Sequence, residues 1–249
     1  MLKTFFKRIA PAALTRVALQ KLLPYLYLLI FSSLFFAGPS NCVLSQTVDP
    51  DTKMLLNGRI WWNKYSRAVG NQYFMEGSSR TGSVVFNDQP YSGLDLKYDI
   101  ANDELIFSSE NHPVICMNKE MVDSFMLDYT DRTYVFFNAG NDTSSVLKGY
   151  VNLLYKGPST LYVKYSKKIY PLAVDGRFDL FAEEHQIFLN TVNGIIEIKG
   201  KRQLLNILND KKKELNHFIR ENKVKFNIRT PYSIIPVVGY YDKIKPGKQ

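Results

Sequence analysis

Three histidines are the first residues to test for catalysis or metal binding. His112, His185 and His217 lie far apart, no two of them share metal-ligand spacing, and no cysteine cluster accompanies them. Glu183 and Glu184 directly precede His185 and have the right types for acid–base chemistry. Neighbouring residues of an extended chain point to opposite faces, so we expect a solvated loop there. These residues predict no catalytic, metal or cofactor site.

Two further groups have reactive side chains. Asp99, Asp103 and Glu104 are close enough in sequence to suggest paired carboxylates, but their positions around a turn explain them more simply. Cys116 is the only cysteine after residue 45, so it has no internal disulfide partner, and its apolar neighbours predict a buried, inert thiol. Without a Gly-x-Ser-x-Gly or phosphate-loop motif, we expect the protein not to be an enzyme. A hydrolase would require His112 or His185 to meet carboxylates in a cleft.

Two short segments are candidates for surface binding. Trp61 and Trp62 are adjacent, so on a strand only one ring can face the core and the other is available to stack on a sugar or a partner side chain. Lys211, Lys212 and Lys213 form a basic run that could contact an anionic lipid or lipopolysaccharide surface. The alternatives are a tryptophan covered by a loop and a solvated basic face.

The first 45 residues have the order of a secretory signal. A basic region ends at Lys21, sixteen uncharged residues follow at 22–37, and residues 43–45 fit a signal-peptidase site. We predict cleavage after Ser45, which leaves Gln46 first. Lipidation at Cys42 and an uncleaved anchor are the alternatives; Asn41 before the cysteine disfavours the first, and an apolar run shorter than about 20 residues disfavours the second.

Charge is distributed unevenly after the leader. The chain has 32 basic and 23 acidic residues, and five of the basic residues but none of the acidic ones precede residue 46. The net charge is −5 over residues 46–198 and +9 over residues 199–249. The basic end either docks on the acidic β body or contacts an anionic partner. A net charge of only +4 after the leader, together with export, argues against nucleic-acid binding.

Short strands separated by turns are predicted from residue 54 to residue 200. Residues 94–100 alternate apolar and charged side chains, which predicts a half-buried strand. Asn193 and Gly194 form a strong hairpin signal. Further strands are predicted as follows: 55–62, 82–86, 104–107, 114–117, 125–129, 134–137, 161–165, 186–189 and 195–198. The fold class is mainly β (α+β), an antiparallel meander that forms a sandwich, a curled sheet or an open barrel.

Helical patterning begins near residue 201. Between residues 201 and 224, apolar residues recur at spacings of three and four, no glycine or proline interrupts them, and lysines occupy the other face. We predict an amphipathic helix that covers the sheet. A short terminal helix is predicted at about 231–241, with Thr230 as its cap, Pro231 in its first turn and Pro236 as its limit. Residues 46–249 thus form one predicted domain.

Several segments resemble a family of uncharacterised exported proteins of Bacteroidota. The similar segments are residues 82–86, 94–105, 149–157, 201–205 and 218–226. The resemblance spans most of residues 54–241 and implies the periplasm or outer cell envelope of a Gram-negative bacterium, without implying any activity. The chain departs from the family where Pro231 and Pro236 interrupt the terminal helix.

The sequence therefore supports two hypotheses of different classes. The first is a non-catalytic envelope protein, a binding module whose partner is another envelope protein or an anionic envelope surface. The alternative is a carrier that holds a lipid or other apolar ligand between a curled sheet and the basic helix. An apolar cavity beneath the helix would favour the carrier, and a filled core would favour the binding module.

Overall fold

Residues 94–99 of the alternating segment lie in a long strand, as the pattern predicts, and Ile100 directly follows it. In a computed structural model, which describes residues 52–75 and 79–245, the strand Gln89–Asp99 pairs antiparallel with neighbours on both sides. Leu94, Leu96 and Tyr98 are buried on one face, whereas Asp95 is exposed. The leader, the cleavage site after Ser45 and Cys42 lie outside the described residues.

The described residues form a mainly β structure with helices at its C-terminal end. Its strands are β1 (Gly58–Ile60), β2 (Ala68–Val69), β3 (Arg80–Phe86), β4 (Gln89–Asp99), β5 (Glu104–Ser108), β6 (Ile115–Met117), β7 (Val122–Asp128), β8 (Thr133–Asn138), β9 (Tyr150–Tyr155), β10 (Thr160–Val174), β11 (Phe178–Thr191) and β12 (Gly194–Ile198). Its helices are α1 (Thr52–Leu55), α2 (Lys201–Ile207), α3 (Lys212–Glu221) and α4 (Ile235–Ile244), with 3₁₀ turns at Lys119–Met121, Asn209–Lys211 and Pro231–Ile234.

All the strands belong to one open, curled sheet. Their order is β1-β6-β5-β4-β3-β7-β8-β9-β10-β11-β12, and β2 adds to β11 in parallel. Four strands separate β4 from β10 in this order, yet Lys167 in β10 donates its backbone N–H to the carbonyl of Ile100, directly after β4, at 3.3 Å. The sheet therefore curls until the end of β4 touches β10. Of the three predicted architectures, the curled sheet is the one observed.

Aromatic rings and the helices fill the inner face of the sheet. Tyr98, Phe125, Phe136 and Tyr150 are almost completely buried, and their ring centroids lie 4.8–5.7 Å apart in the contacting pairs. The apolar stripe of the C-terminal region packs into the same cluster through Leu204, Leu205, Leu208, Leu215 and Ile219. The helices therefore cover the open face of the sheet, as predicted.

The helical region differs from its prediction in two places. The single helix predicted at 201–224 is two helices, because the chain turns at Leu208 (φ −97°, ψ 43°) and passes through a 3₁₀ turn. Asn209 and Asp210 in that turn have low helix propensity. Pro236 lies in the first turn of α4 and so helps to begin the helix that it was expected to limit. Thr230 makes no side-chain capping bond.

The strand predictions are correct in most of the sheet and wrong at four places, of which the short strand β2 is one that was not predicted. Residues 55–62 were expected to form one strand, but Leu55 ends helix α1 and β1 is only three residues long. Strand β9 was not predicted. Strands β10 and β11 extend well beyond their predicted bounds, so residues 183–185, expected in a loop, lie in β11. The hairpin at Asn193 and Gly194 is confirmed by the pairing of β11 with β12.

We predict that Leu215→Ala lowers the free energy of unfolding by about 2–5 kcal/mol. This side chain of α3 is fully buried in the core, and alanine would leave a cavity there. Alanine favours the helix, so a loss must come from packing. The measurement is equilibrium unfolding in urea. Lys213→Ala on the exposed face is the matched control and should change stability by less than about 0.5 kcal/mol. A comparably small effect of Leu215→Ala would contradict a helix that seals the core.

Candidate functional site

The carboxylate of Asp103 has the densest set of polar contacts in the described residues. Asp103 lies in the turn between β4 and β5 with φ +58°. Its Oδ1 accepts a hydrogen bond from the hydroxyl of Tyr98 and one from Nζ of Lys164 in β10, each at 2.6 Å. Its Oδ2 forms an ion pair with Lys119. We call these four residues the Asp103 network.

Backbone geometry brings the network together. Asp103 adopts a left-handed conformation, which aspartate tolerates better than most residues. Gly149, also with positive φ, precedes β9, and a Cβ at this position would overlap Oδ2 of Asp103. The backbone N–H of Tyr150 lies 3.4 Å from both carboxylate oxygens. Glycine at 149 is therefore required for β9 to approach the carboxylate.

The charges of the network stabilise one another. Burial acts to raise the pKa of Asp103, but the ammonium of Lys164 and hydrogen bonds from Lys119, Lys164 and Tyr98 outweigh it, so this pKa is lowered. Burial lowers the pKa of Lys164 against the opposing effect of Asp103. Burial and the nearby carboxylate raise the pKa of Tyr98 well above its ordinary value, so its hydroxyl stays a donor. A carboxylate saturated with donors is suited to holding segments together rather than to taking up a proton.

The neighbouring carboxylate Asp99 has the turn role predicted from sequence. Its Oδ1 accepts the backbone N–H groups of Ala101 at 3.0 Å and Asn102 at 2.9 Å. Burial raises the pKa of Asp99, and the bonds from Asn102 oppose that shift. Asp99 and Asp103 thus shape the same turn, but Asp103 also joins it to distant strands, which turn chemistry alone did not predict.

A shallow groove beside the network contains the single described cysteine. The groove encloses about 560 Å³ and is lined by the Arg59–Glu104 ion pair, by the Asp103–Lys119 ion pair and by Cys116. Cys116 is buried, and burial raises the pKa of its thiol to about 12. The thiol is therefore protonated at neutral pH and a poor nucleophile. This agrees with the inert thiol predicted from sequence.

The histidines do not converge on one another or on carboxylates in a cleft. His185 lies in β11 and its Nε2 is 2.8 Å from the carbonyl oxygen of Ile228. His217 forms an exposed contact of 3.0 Å with Glu221 on α3, and His112 lies in the turn before β6. Glu184 pairs with Lys168 at 2.6 Å. Within residues 52–75 and 79–245, no group of three or more His, Cys, Asp or Glu residues could hold a metal ion.

The two tryptophans have different surroundings. Both follow β1, and the backbone N–H of Trp61 donates to the carbonyl of Val114 at 2.8 Å. The ring of Trp61 is half-buried and lies 6.3 Å from that of Tyr73. Trp62 is 62% exposed, and Nζ of Lys64 lies 5.9 Å from its ring centroid. Trp62 is thus the available ring of the pair.

The basic run on α3 is partly neutralised by contacts within the chain. Lys211 forms an ion pair with Glu214 at 3.5 Å. Nζ of Lys212 donates to the side chain of Asn206 at 2.8 Å, and Lys213 is exposed. These contacts favour the solvated basic face over a concentrated anion-binding site.

A hairpin arm, which sequence patterning missed, extends beyond the strands that flank it. We define the arm as residues 168–182, the outer part of the β10–β11 hairpin, which turns at Asp175 and Gly176, both with positive φ. β9 pairs with β10 only through Leu161–Val163, and β12 pairs with β11 only from Ile187 onward. The Asp-Gly pair was the available sequence signal for this hairpin.

Exposed apolar side chains are concentrated on the arm and on residues 60–69, whose last two residues pair with the arm as β2. Of eleven large, well-exposed apolar side chains in the described residues, six lie on the arm or at residues 60–69: Ile60, Trp62, Val69, Tyr170, Leu172 and Phe178. Pairing of β2 with Asp179 and Leu180 holds this segment against the arm. Tyr65 adds an edge-on ring contact with Phe181 at 5.2 Å. Concentrated apolar exposure is typical of an interaction surface.

The outer edge of the arm is not a regular strand edge. The β10–β11 register shifts between Tyr170 and Val174, Pro171 lies in this stretch, and Leu172 has φ +51°. Proline and bulges on an edge strand prevent regular pairing with a further strand. A partner of the arm would therefore contact its side chains rather than extend the sheet.

No protein-family model, curated protein or solved structure matches the chain. Among the described residues, no helix has both the length and the apolar content needed to cross a membrane.

We predict that Asp103→Asn lowers the free energy of unfolding by about 1–3 kcal/mol at neutral pH, because two lysines lose their shared carboxylate. The folded-state pKa of Asp103 lies below its ordinary value, so its stabilisation is present above about pH 4 and is lost as pH falls through the folded-state pKa. The difference from wild type should shrink in acid. Urea unfolding measured from neutral pH to about pH 3 tests this.

The matched control is Asp175→Asn. Asp175 is an exposed turn residue with φ +51°, a conformation that asparagine also adopts. It should have little effect at any pH. A pH-independent loss in Asp103→Asn, or an equal loss in Asp175→Asn, would contradict the role assigned to the network.

Proposed function

We propose that this protein is an exported, non-catalytic interaction module of a Gram-negative cell envelope, and that the arm is its contact surface. The observation that carries the proposal is the concentration of exposed apolar side chains on a projecting hairpin. Tyr170, Leu172 and Phe178 are 46%, 60% and 45% exposed. The signal-like leader and the resemblance to exported Bacteroidota proteins support the compartment.

The charges of the arm favour an uncharged protein surface as the partner. The arm contains two basic residues, Lys168 and Arg177, and two acidic residues, Asp175 and Asp179. Lys168 is already paired with Glu184. A surface without net charge gains little electrostatic binding energy from an anionic lipid layer. Its aromatic and aliphatic side chains instead fit an apolar groove on another envelope protein.

The filled core favours this proposal over the carrier. A carried lipid would lie between the sheet and the helices, where Leu204, Leu208 and Leu215 are fully buried against the aromatic cluster. The contacts of Lys211 and Lys212 within the chain likewise weaken the case for an anionic surface as the partner.

Export has a direct test in the intact mass of the protein from its own cells. We predict a species that begins at Gln46 in the soluble periplasmic fraction, because residues 1–45 have the organisation of a cleaved signal. Mass spectrometry of periplasmic, membrane and medium fractions measures this. A membrane-bound species that retains residues 1–45, or that has a lipid on Cys42, would contradict the predicted cleavage.

The contact surface has a test by photo-crosslinking in the same cells. We predict that p-benzoylphenylalanine at position 170 forms a discrete adduct with one envelope protein, because the replaced tyrosine projects from the arm. The same group at Val192, an exposed turn residue between β11 and β12, is the matched control and should form none. Adding Leu172→Ser and Phe178→Ser should abolish the adduct without changing the melting temperature.

The partner identified in this way must also bind the purified protein, and the double serine variant must weaken that binding. Replacing Lys211, Lys212 and Lys213 by glutamine should leave the binding unchanged. The proposal is wrong if position 192 gives the same adduct, or if the adduct is a second copy of this chain. It is also wrong if the purified protein floats with vesicles of phosphatidylethanolamine and phosphatidylglycerol and Phe178→Ser abolishes that flotation.

A further inference from the structure

A second feature lies at the helical end of the molecule. α3 and α4 form a pocket of about 480 Å³ with the end of β9, lined by Phe218, Tyr240 and Tyr155. The rings of Phe218 and Tyr240 stack with their centroids 4.1 Å apart and their planes 6° from parallel. These rings give the pocket an aromatic wall.

One carboxylate of the pocket has an oxygen without a donor. Oδ2 of Asp242 in α4 accepts hydrogen bonds from the hydroxyl of Tyr155 and the backbone N–H of Ser159, both at 3.1 Å. Oδ1 is buried and accepts no hydrogen bond from the described residues. Of the described Lys, Arg and His side chains, none forms an ion pair with Asp242. Buried carboxylate oxygens are normally satisfied, so Oδ1 is an exception among the carboxylates of the described residues.

The surrounding chain is arranged to hold this carboxylate. A Cβ at Gly157 would crowd both Oδ2 of Asp242 and the hydroxyl of Tyr155, so glycine is needed there. Burial and the charge of Asp242 raise the pKa of Tyr155, which keeps its hydroxyl protonated as a donor. Both bonds go to Oδ2, so Oδ1 has no donor; because Oδ1 is buried, a ligand must displace part of the pocket wall to pair with it.

We propose that this pocket binds the ammonium group of an organic amine. The positive charge would pair with Asp242, an N–H would donate to Oδ1, and the adjoining carbon atoms would pack on the aromatic rings. Lys243 also lines the pocket, but its side chain is exposed, so selectivity for a cation rests on the carboxylate of Asp242. The proposal is independent of the arm, because none of the pocket residues belongs to it.

Isothermal titration calorimetry of the purified protein with benzylamine tests the proposal. We expect saturable binding, and binding of the neutral analogue benzyl alcohol that is weaker by about tenfold or more. This comparison needs only the wild-type protein. Equal binding of the two compounds, or no saturable binding of benzylamine, would overturn the proposal.

Two variants locate the binding. Asp242→Asn keeps an oxygen for Tyr155 and Ser159 but removes the charge, and should weaken benzylamine binding by about tenfold or more. Phe218→Leu removes a ring and should weaken it by several-fold. The matched control is Asp210→Asn, since Asp210 also contacts α4, through the hydroxyl of Tyr241, but does not line the pocket. Binding unaffected by Asp242→Asn would overturn the assignment.

The same amine chemistry could come from a free metabolite or from a lysine of another protein. A capped alanine pentapeptide with one central lysine, titrated beside benzylamine, distinguishes these sources. Tighter binding of either compound in wild type than in Asp242→Asn supports the pocket and identifies the source. Failure of both compounds to bind overturns the pocket and leaves the arm proposal untouched.

Discussion

The salt-bridged carboxylate of Asp103 joins the segments that meet where the sheet curls. It binds residues from the strand before it, from the 3₁₀ turn before β7 and from β10, and it receives the start of β9 across Gly149. These segments are distant in sequence and converge where the end of β4 reaches Lys167. Removing the charge would leave two partly buried lysines without their carboxylate. This costs more stability than replacing all three charged residues by apolar ones.

This closure gives the inner and outer halves of the β10–β11 hairpin different surroundings. The inner half, up to Tyr165, belongs to the curled sheet and buries Leu161, Val163 and Tyr165 in the core. Beyond Lys167 the curl no longer supplies a neighbour for β10, and only the two-residue strand β2 lies beside β11. The arm therefore forms because β10 and β11 extend beyond their neighbouring strands, and its apolar side chains have no core against which to pack.

Sequence patterning predicted the parts of the fold that depend on local periodicity. The alternation at 94–100 and the Asn193–Gly194 hairpin were correct because each is determined by neighbouring residues. The break at Leu208 was missed because the apolar stripe continues through it in sequence, and the hydrogen bond that Asp210 in the turn accepts comes from Tyr241, 31 residues away. The Asp103 network could not be predicted, since its lysines lie 16 and 61 residues away.

The same distinction explains why the candidate surfaces differ from the residues that sequence singled out. Lysine runs and tryptophan pairs are visible in a sequence, but Lys211 and Lys212 have partners within the chain and Trp61 is half-buried. The arm became visible only when pairing showed which apolar residues lack a neighbour. Its proline, its bulge and the positive φ of Leu172 oppose strand addition while leaving side chains accessible. Such an edge can expose apolar groups without templating aggregation.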